Sequence, residues 1–351
     1  MSVTIAGRAV GDNQPPMIVA ELSGNHGQSL SRALEMVEVA ASNGAHAIKL
    51  QTYTPDTMTL PSTDDTFTIK SDESLWAGRN LYQLYEQAHT PWAWHEPIFK
   101  RAEEVGIAAF SSAFDITAVD FLESIGTPAY KISSFECCDI RLLEAVARTG
   151  KPVIISSGMA EFDEIETALN TLRSIGCEKI ILLKCTSNYP ATANESNLRT
   201  ITDLRSKFRC EIGLSDHTIG TAVAIGAVAL GAVLIEKHFT LDKLDGGVDS
   251  EFSIDPAELS SLVMETKTCW EALGGISYGP TKSERENRYY RRSLYAARDI
   301  QKGQSISNSD ILSLRPALGL DSKYIKQVID HKAAKPIRAY APILSTDVKS
   351  D

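Results

Sequence analysis

The sequence predicts an α/β fold in which eight parallel strands close into a barrel ringed by helices, and three observations carry that reading. Eight short apolar runs recur between residues 17 and 239. Amphipathic segments with helical spacing separate them, often ending on glycine (Gly44, Gly106, Gly126, Gly150, Gly176) as helix C-caps do. No GxGxxG turn follows the first run, which argues against a doubly wound sheet built around a dinucleotide. Strands alternating with helices make a parallel sheet, and eight such units in about 250 residues is the size of a (β/α)8 TIM barrel.

The elements follow in order. "MSVTIAGRAVGDNQPP" reads as a short hairpin capping the barrel floor. The strands are "MIVAELSGN" (17–25), "AHAIKLQT" (45–52), "IAAFSS" (107–112), "AYKISS" (129–134), "PVIISSG" (152–158), "IILLKCTS" (180–187), "EIGLSD" (211–216) and "AVLIEKHF" (232–239). Helices are carried by segments such as "SLSRALEMVEVAASNG", "ITAVDFLESIG" and "FDEIETALNTLRSIG". The barrel domain spans residues 1–274, and the charged, Gly- and Pro-containing stretch 275–292 reads as a linker. Residues 293–351 form a small second domain of short strands and turns, with helical spacing only around "SKYIKQVI".

Composition narrows the function classes. At 351 residues with 43% hydrophobic and 23% charged side chains, the chain has material for a sizeable core. A net charge of −10 disfavours nonspecific binding to nucleic acid or to an anionic membrane. The N-terminus lacks the features of a signal peptide, and the longest apolar run is broken by glycine and by Glu236-Lys237. Six cysteines without a CxxC pair point to a reducing cytoplasm.

In such a barrel the active site lies at the C-terminal ends of the strands. Polar residues collect at those ends. They are Glu21, Ser23 and Asn25, with His26 following, then Lys49 and Gln51, Ser111 and Ser112, and Lys131, Ser134 and Glu136. Ser156, Lys184 and Ser187, Ser215 and His217, and Glu236 and His238 complete the set. Period-2 alternation puts Glu21, Ser23 and Asn25 on one face, and likewise pairs Lys49 with Gln51, Ser215 with His217, and Glu236 with His238. Lys131 and Glu136 break the alternation, so the chain leaves the strand between them.

Any one of these residues has an ordinary explanation, such as a snorkelling lysine or a helix-capping serine. Their convergence at one end of one barrel favours a single polar pocket. Lys49 and Lys131, with Ser112, Ser134, Ser156 and Ser215, make a cradle for a multiply charged anion. His217 and His238, one β-α unit apart, suit a divalent metal with positions left open for water or substrate. Glu21 and Glu136 remain as general acid/base groups or sugar-hydroxyl acceptors.

The motifs "AELSGNHGQSL", "AIKLQTYTPDTMTL", "AYKISSFE", "ISSGM", "LSDHT" and "EKHFTLD" together resemble the sialic acid synthase family along the whole chain, and the C-terminal segment resembles its antifreeze-like (SAF) domain. "KLQTYTPDTMTL" followed by "LYEQAHTPWAWHEPIF" looks most like the branch that makes pseudaminic acid. The resemblance implies condensation of phosphoenolpyruvate (PEP) with the open-chain aldehyde of an acetamido sugar, giving a nine-carbon ulosonic acid and phosphate. For this branch the sugar is 2,4-diacetamido-2,4,6-trideoxy-L-altrose; precursors of N-acetylneuraminate or legionaminate are the alternatives.

By the same resemblance Mn²⁺ or Mg²⁺ is held by His217 and His238. PEP is bound by Lys131, Ser112, Ser134, Ser156 and Ser215, with Lys49 near its carboxylate or the reacting oxygens. Ser187 stands where neuraminate enzymes carry an asparagine that contacts phosphate. Glu21, Gln51, Tyr189 and Asp249 face the sugar, and Tyr53, Trp92 and Trp94 pack on its methyl or acetamido groups. The implied assembly is a homodimer in which each SAF domain covers its partner's barrel mouth and brings Arg315 to it. Two rival functions are a Schiff-base aldolase using Lys131 or Lys184, and a noncatalytic sugar- or anion-binding protein.

Overall fold

A computed structural model describes residues 2–71 and 74–349 of the chain. The chain divides after Gly274 into two compact units. The first opens with an antiparallel hairpin, β1 (Val3–Ile5) and β2 (Arg8–Val10). Eight parallel strands follow: β3 (Met17–Glu21), β4 (Ala47–Thr52), β5 (Ala108–Ala113), β6 (Tyr130–Ile132), β7 (Val153–Ser156), β8 (Ile180–Cys185), β9 (Glu211–Asp216) and β10 (Leu234–His238). They close into a barrel in chain order, β10 pairing back onto β3.

Between the strands lie helices α1 (Leu30–Ser42), α2 (Pro55–Met58), α3 (Leu81–Ala88), α4 (His95–Glu104), α5 (Ile116–Ser124), α6 (Ile140–Arg148), α7 (Phe162–Ser174), α8 (Thr200–Phe208) and α9 (Ala222–Ala229), with α10 (Pro256–Leu273) closing the unit. The sequence spells the caps. Ser29, Asp115 and Asp139 accept hydrogen bonds from first-turn amides of α1, α5 and α6, and each anticipated C-cap glycine has positive φ, as for Gly44 at 87°.

Each strand is buried on both faces, and the two faces are different cores. Outward residues such as Ile18, Ile48, Leu182 and Ile235 pack under the helices. Inward residues at the N-terminal ends (Met17, Val19, Ala47, Phe110, Ile154, Leu183, Leu234) fill the barrel and meet Val3, Ile5 and Val10 of the hairpin, which plugs the floor. One or two residues further along each strand the inward positions turn polar.

The strands are shorter than the apolar runs. The first ends at Glu21, and Ser23 takes a left-handed conformation at φ 47°, so Asn25 does not continue the inward row as alternation requires. The fourth ends at Ile132 and passes into a 3-10 turn, Ser134–Glu136, which explains how Lys131 and Glu136 escape strict alternation.

In the second unit β11 (Ser293–Ala296) pairs antiparallel with β12 (Ile311–Leu314) over a small core that includes Leu294, Ile300, Ile306, Val328 and Ile343. The helical spacing of "SKYIKQVI" appears as a 3-10 helix, Ser322–Gln327. Residues 275–292 are exposed throughout. No helix among the described residues is long and apolar enough to cross a membrane, and all six cysteines are free.

Candidate active site

Strand register assembles the polar residues. Glu21 stands beside Lys49 on one neighbouring strand and beside His238 on the other. Ser112 stands beside Gln51 and Lys131, and Ser215 beside Cys185 and Glu236. These in-register inward positions form one polar tier above the apolar floor.

Charge within that tier is balanced. The ammonium of Lys49 pairs closely with Glu21, donates to Ser112 Oγ at 3.1 Å and lies 3.7 Å from Glu236 Oε1. Lys131 Nζ lies 3.4 Å from the same Glu236 oxygen, which also accepts from Ser215 Oγ at 3.0 Å. Burial raises the cost of every one of these charges, and mutual pairing offsets it. Glu236 is thereby held down at about 2: burial pushes it up, but Lys131 and Lys49 outweigh that. Lys131 moves down, because burial dominates and Lys49 adds repulsion that Glu236 only partly counters.

Three more hydroxyls lie at this level of the barrel, those of Ser156, Ser134 and Ser187. Ser156 Oγ is buried at 1% exposure and has no hydrogen-bond partner among the described residues. A β-carbon at Gly158, where φ is 41°, would come within 2.6 Å of Ser187 Oγ and closer still to Ser134. The loop after β7 therefore brings its backbone against both serines, an approach that only glycine permits.

The imidazoles of His217 and His238 meet edge to face with centroids 5.4 Å apart. The Nδ1–H of His217 donates to the Thr186 carbonyl at 2.9 Å, which leaves Nε2 as its available lone pair. His238 Nδ1 lies 3.4 Å from Asp249 Oδ2, whose carboxylate also takes the Ser23 hydroxyl. Asp249 is held below the usual range, since His238 and Ser23 outweigh the effect of burial. Asn25 sits behind it, accepting from the Asp249 amide at 3.2 Å and donating to the Phe239 carbonyl at 3.0 Å.

No group of three or more His, Cys, Asp and Glu among the described residues could hold a metal ion by itself. The donor set fits a divalent cation only as a two-imidazole site whose other positions belong to water and substrate, the arrangement of a catalytic centre rather than a structural cage.

Above this tier a cavity of about 660 Å³ opens, lined at its polar end by Ser23, Gln51, Glu136, Ser187, His238 and Asp249. Its apolar lining comes largely from the segment between β4 and α4, with Tyr53, Met58, Ile69, Trp76 and Tyr85, joined by Phe114 and by Tyr189, whose ring packs on His217 at 4.3 Å. Trp76 Nε1 donates to the Val248 carbonyl at 3.0 Å, tying this segment to the loop after β10. Glu136 is pushed up to about 7 by burial, with Lys131 pulling the other way.

Some expected residues stand elsewhere. Trp92 stacks on Phe121 at 4.7 Å and Trp94 meets His26 edge to face; Trp76 supplies the cavity wall instead. Lys184 faces away from the barrel interior, its ammonium donating to the Cys185 carbonyl at 2.7 Å and to Thr186 Oγ1. Ser111 likewise faces the helices, bonded to Thr52. Arg315, expected at a partner's site, is exposed on the second unit.

Two inward groups carried no expected role. One is Glu236, legible from its alternation with His238. The other is Cys185, whose thiol burial pushes up but which is drawn down to about 6 chiefly by His217.

Residues 36–278 match the NeuB family and residues 291–349 the SAF domain. The chain is 43% identical to pseudaminic acid synthase of Helicobacter pylori, across 96% of this chain and 98% of the relative. It is 35% identical to N,N'-diacetyllegionaminic acid synthase of Campylobacter jejuni, across 91% and 96%. Among solved structures, N-acetylneuraminic acid (sialic acid) synthetase of Leptospira borgpetersenii, in complex with citrate, superposes with a TM-score of 0.73 at 35% identity, covering 82% of this chain and 95% of that one. The closed barrel, the polar tier at its mouth and these likenesses agree: the chain belongs to the NeuB family and carries a SAF domain at its C-terminal end.

Proposed function

We propose that this enzyme condenses PEP with 2,4-diacetamido-2,4,6-trideoxy-L-altrose to give pseudaminic acid and phosphate. The observation that carries this reading is the pairing of Lys49 and Lys131 with Glu21 and Glu236 in the inward tier of the barrel, joined through Gln51 to a cavity rich in aromatic and aliphatic side chains. A compact polyanion suits the lysine and hydroxyl end. A deoxy sugar bearing acetamido groups suits the other. The higher identity to the pseudaminic relative than to the legionaminic one favours the altrose substrate.

In this reading Lys49 and Lys131, with Ser112, Ser134, Ser156, Ser187 and Ser215, hold the phosphate and carboxylate of PEP. Gln51, Tyr53, Tyr189 and Asp249 position the sugar, with Glu21 supporting Gln51 through a 3.2 Å hydrogen bond. Carbon 3 of PEP forms a bond to the aldehyde carbon, and the aldehyde oxygen takes a proton. Glu136, poised near neutrality in the cavity wall, supplies that proton. Water adds to the former enol carbon, releasing one proton that offsets the one taken from Glu136. Cleavage of the bond from that carbon to the phosphate oxygen expels phosphate, which takes the remaining hydroxyl proton and leaves the 2-keto acid. A bound Mn²⁺ or Mg²⁺ at His217 and His238 supplies Lewis acidity toward the aldehyde.

Exposed apolar tips ring the barrel mouth, Phe135 at 65%, Met159 at 56% and Ile219 at 65%. They favour a cover contributed by the SAF domain of a second copy, with Arg315 as its reaching cation, and a cover keeps bulk water from the reacting carbons.

The Schiff-base alternative loses Lys184, which turns onto its own loop. The deciding experiment is phosphate release from PEP with the altrose, legionaminate-precursor and mannosamine sugars, each with and without EDTA. The expected result is turnover with the altrose, abolished by chelation and restored by Mn²⁺. Turnover with another sugar alone, or full activity in metal-free enzyme, would contradict the proposal.

A further inference from the structure

The motifs "LSDHT" and "EKHF" each place a charged residue immediately before a histidine, and of each such pair the site uses only the histidine. Asp216 and Lys237 face the opposite side of the barrel wall. They are Cα partners across β9 and β10, 2% and 1% exposed, with Nζ 2.9 Å from Oδ2. The other Asp216 oxygen accepts from the Thr218 amide at 2.9 Å and its hydroxyl at 2.7 Å, while Lys237 Nζ also donates to the Thr218 carbonyl at 2.5 Å. His217 is thus bracketed by two residues, both tied to the residue that precedes His238.

We propose that the Asp216–Lys237 ion pair is a clip on the outer wall that sets the spacing of the His217 and His238 rings inside it. Asp216 and Lys237 are positioning residues: neither reaches the cavity, and their opposite charges cancel. A buried ion pair is weak as a source of stability, because well-packed neutral side chains of similar volume serve as well. Its directional bonds accomplish what packing alone does not. They fix the backbone at residues 216–218 relative to residue 237, and with it the origin of both imidazoles.

The consequence for metal binding rests on the function proposed above; the consequence for ring geometry does not, so the two are measured separately. The variant Asp216→Asn/Lys237→Met cuts the tie between strands while leaving an amide oxygen to accept from Thr218. Asp216→Asn/Lys237→Leu, which also leaves no unpaired buried charge, serves as a second variant if the first folds poorly. The seven histidines, labelled at Cε1, report ring geometry by NMR. The expected result is an unfolding midpoint close to wild type with displaced or broadened signals from His217 and His238 alone. Mn²⁺ affinity measured by calorimetry is expected to fall about tenfold or more, with PEP affinity falling far less, because Lys49, Ser112, Lys131 and Ser156 lie on other strands and only Ser215 shares β9. Unaltered His217 and His238 signals, or an equal loss of PEP affinity that marks general loosening, would overturn the clip. If Mn²⁺ broadens neither ring in the wild type, the metal assignment fails, and the ring signals still decide the clip.

Discussion

Lys131 and Glu236 face one another inside the barrel mouth, Nζ 3.4 Å from Oε1, each buried and each the other's principal counter-charge. In the proposed reading the pair keeps the PEP site neutral until PEP binds. Glu236→Gln is expected to destabilise the protein by roughly 3–5 kcal/mol, since it leaves lysine charge uncompensated. PEP should restore more of the unfolding midpoint in the variant than it adds to the wild type, because its own charge replaces the lost carboxylate. Thermal unfolding with and without PEP checks both.

The same carboxylate gives a pH signature. Its value in the folded protein, about 2, lies below the ordinary 4.5, so it contributes stability above about pH 4.5 that is lost as pH falls toward 2. Glu236→Gln should flatten the acid limb of the stability curve over that window. An unchanged limb would assign acid unfolding to other groups.

Glu136 runs the other way, pushed up to about 7 by burial. In its proposed role as proton donor to the aldehyde oxygen it must be protonated, so kcat/KM should fall as pH rises through about 7. In Glu136→Gln that limb should vanish and the rate should drop by roughly 100-fold or more. A pH–rate profile over pH 5–9 measures it, and a limb that survives the substitution excludes the role.

Gly158→Ala should be costly despite its small size. The added methyl meets Ser134 and Ser187, and the left-handed backbone there disfavours a side chain. The displaced cradle is expected to lower kcat/KM for PEP by about 100-fold while the KM for the sugar stays near wild type.

Trp76→Ala makes the complementary test of the apolar wall. It removes the largest ring of the β4–α4 segment from the cavity along with its bond to Val248. The expected result is a rise of about tenfold in the KM for the sugar with the PEP constant unchanged. Equal effects on both substrates would mean that Trp76 acts on the fold of the mouth as a whole.

Most of the inward polar tier was legible in the sequence. Lys49 with Gln51, Ser215 with His217 and Glu236 with His238 alternate on short strands, and each pair does face inward or lie at the mouth. The tryptophans were not legible. A long irregular segment carries no period, so nothing in "LWAGRN" or "TPWAWHEP" says which ring turns toward the cavity and which toward α5.

The amino-acid order alone determined the count of β-α units, the floor hairpin, the helix caps and the clustering of cations, hydroxyls and imidazoles at strand ends, because period, capping chemistry and strand-end position are local properties. Only the closed barrel decided the phase. A parallel strand buried on both faces reads as apolar throughout, so Lys184 against Cys185, or Asp216 and Lys237 against their neighbouring histidines, cannot be assigned to inside or outside from alternation alone. Closure settles it by presenting one face to a cavity that can hold charge and the other to helices, where a charge must bring its own partner.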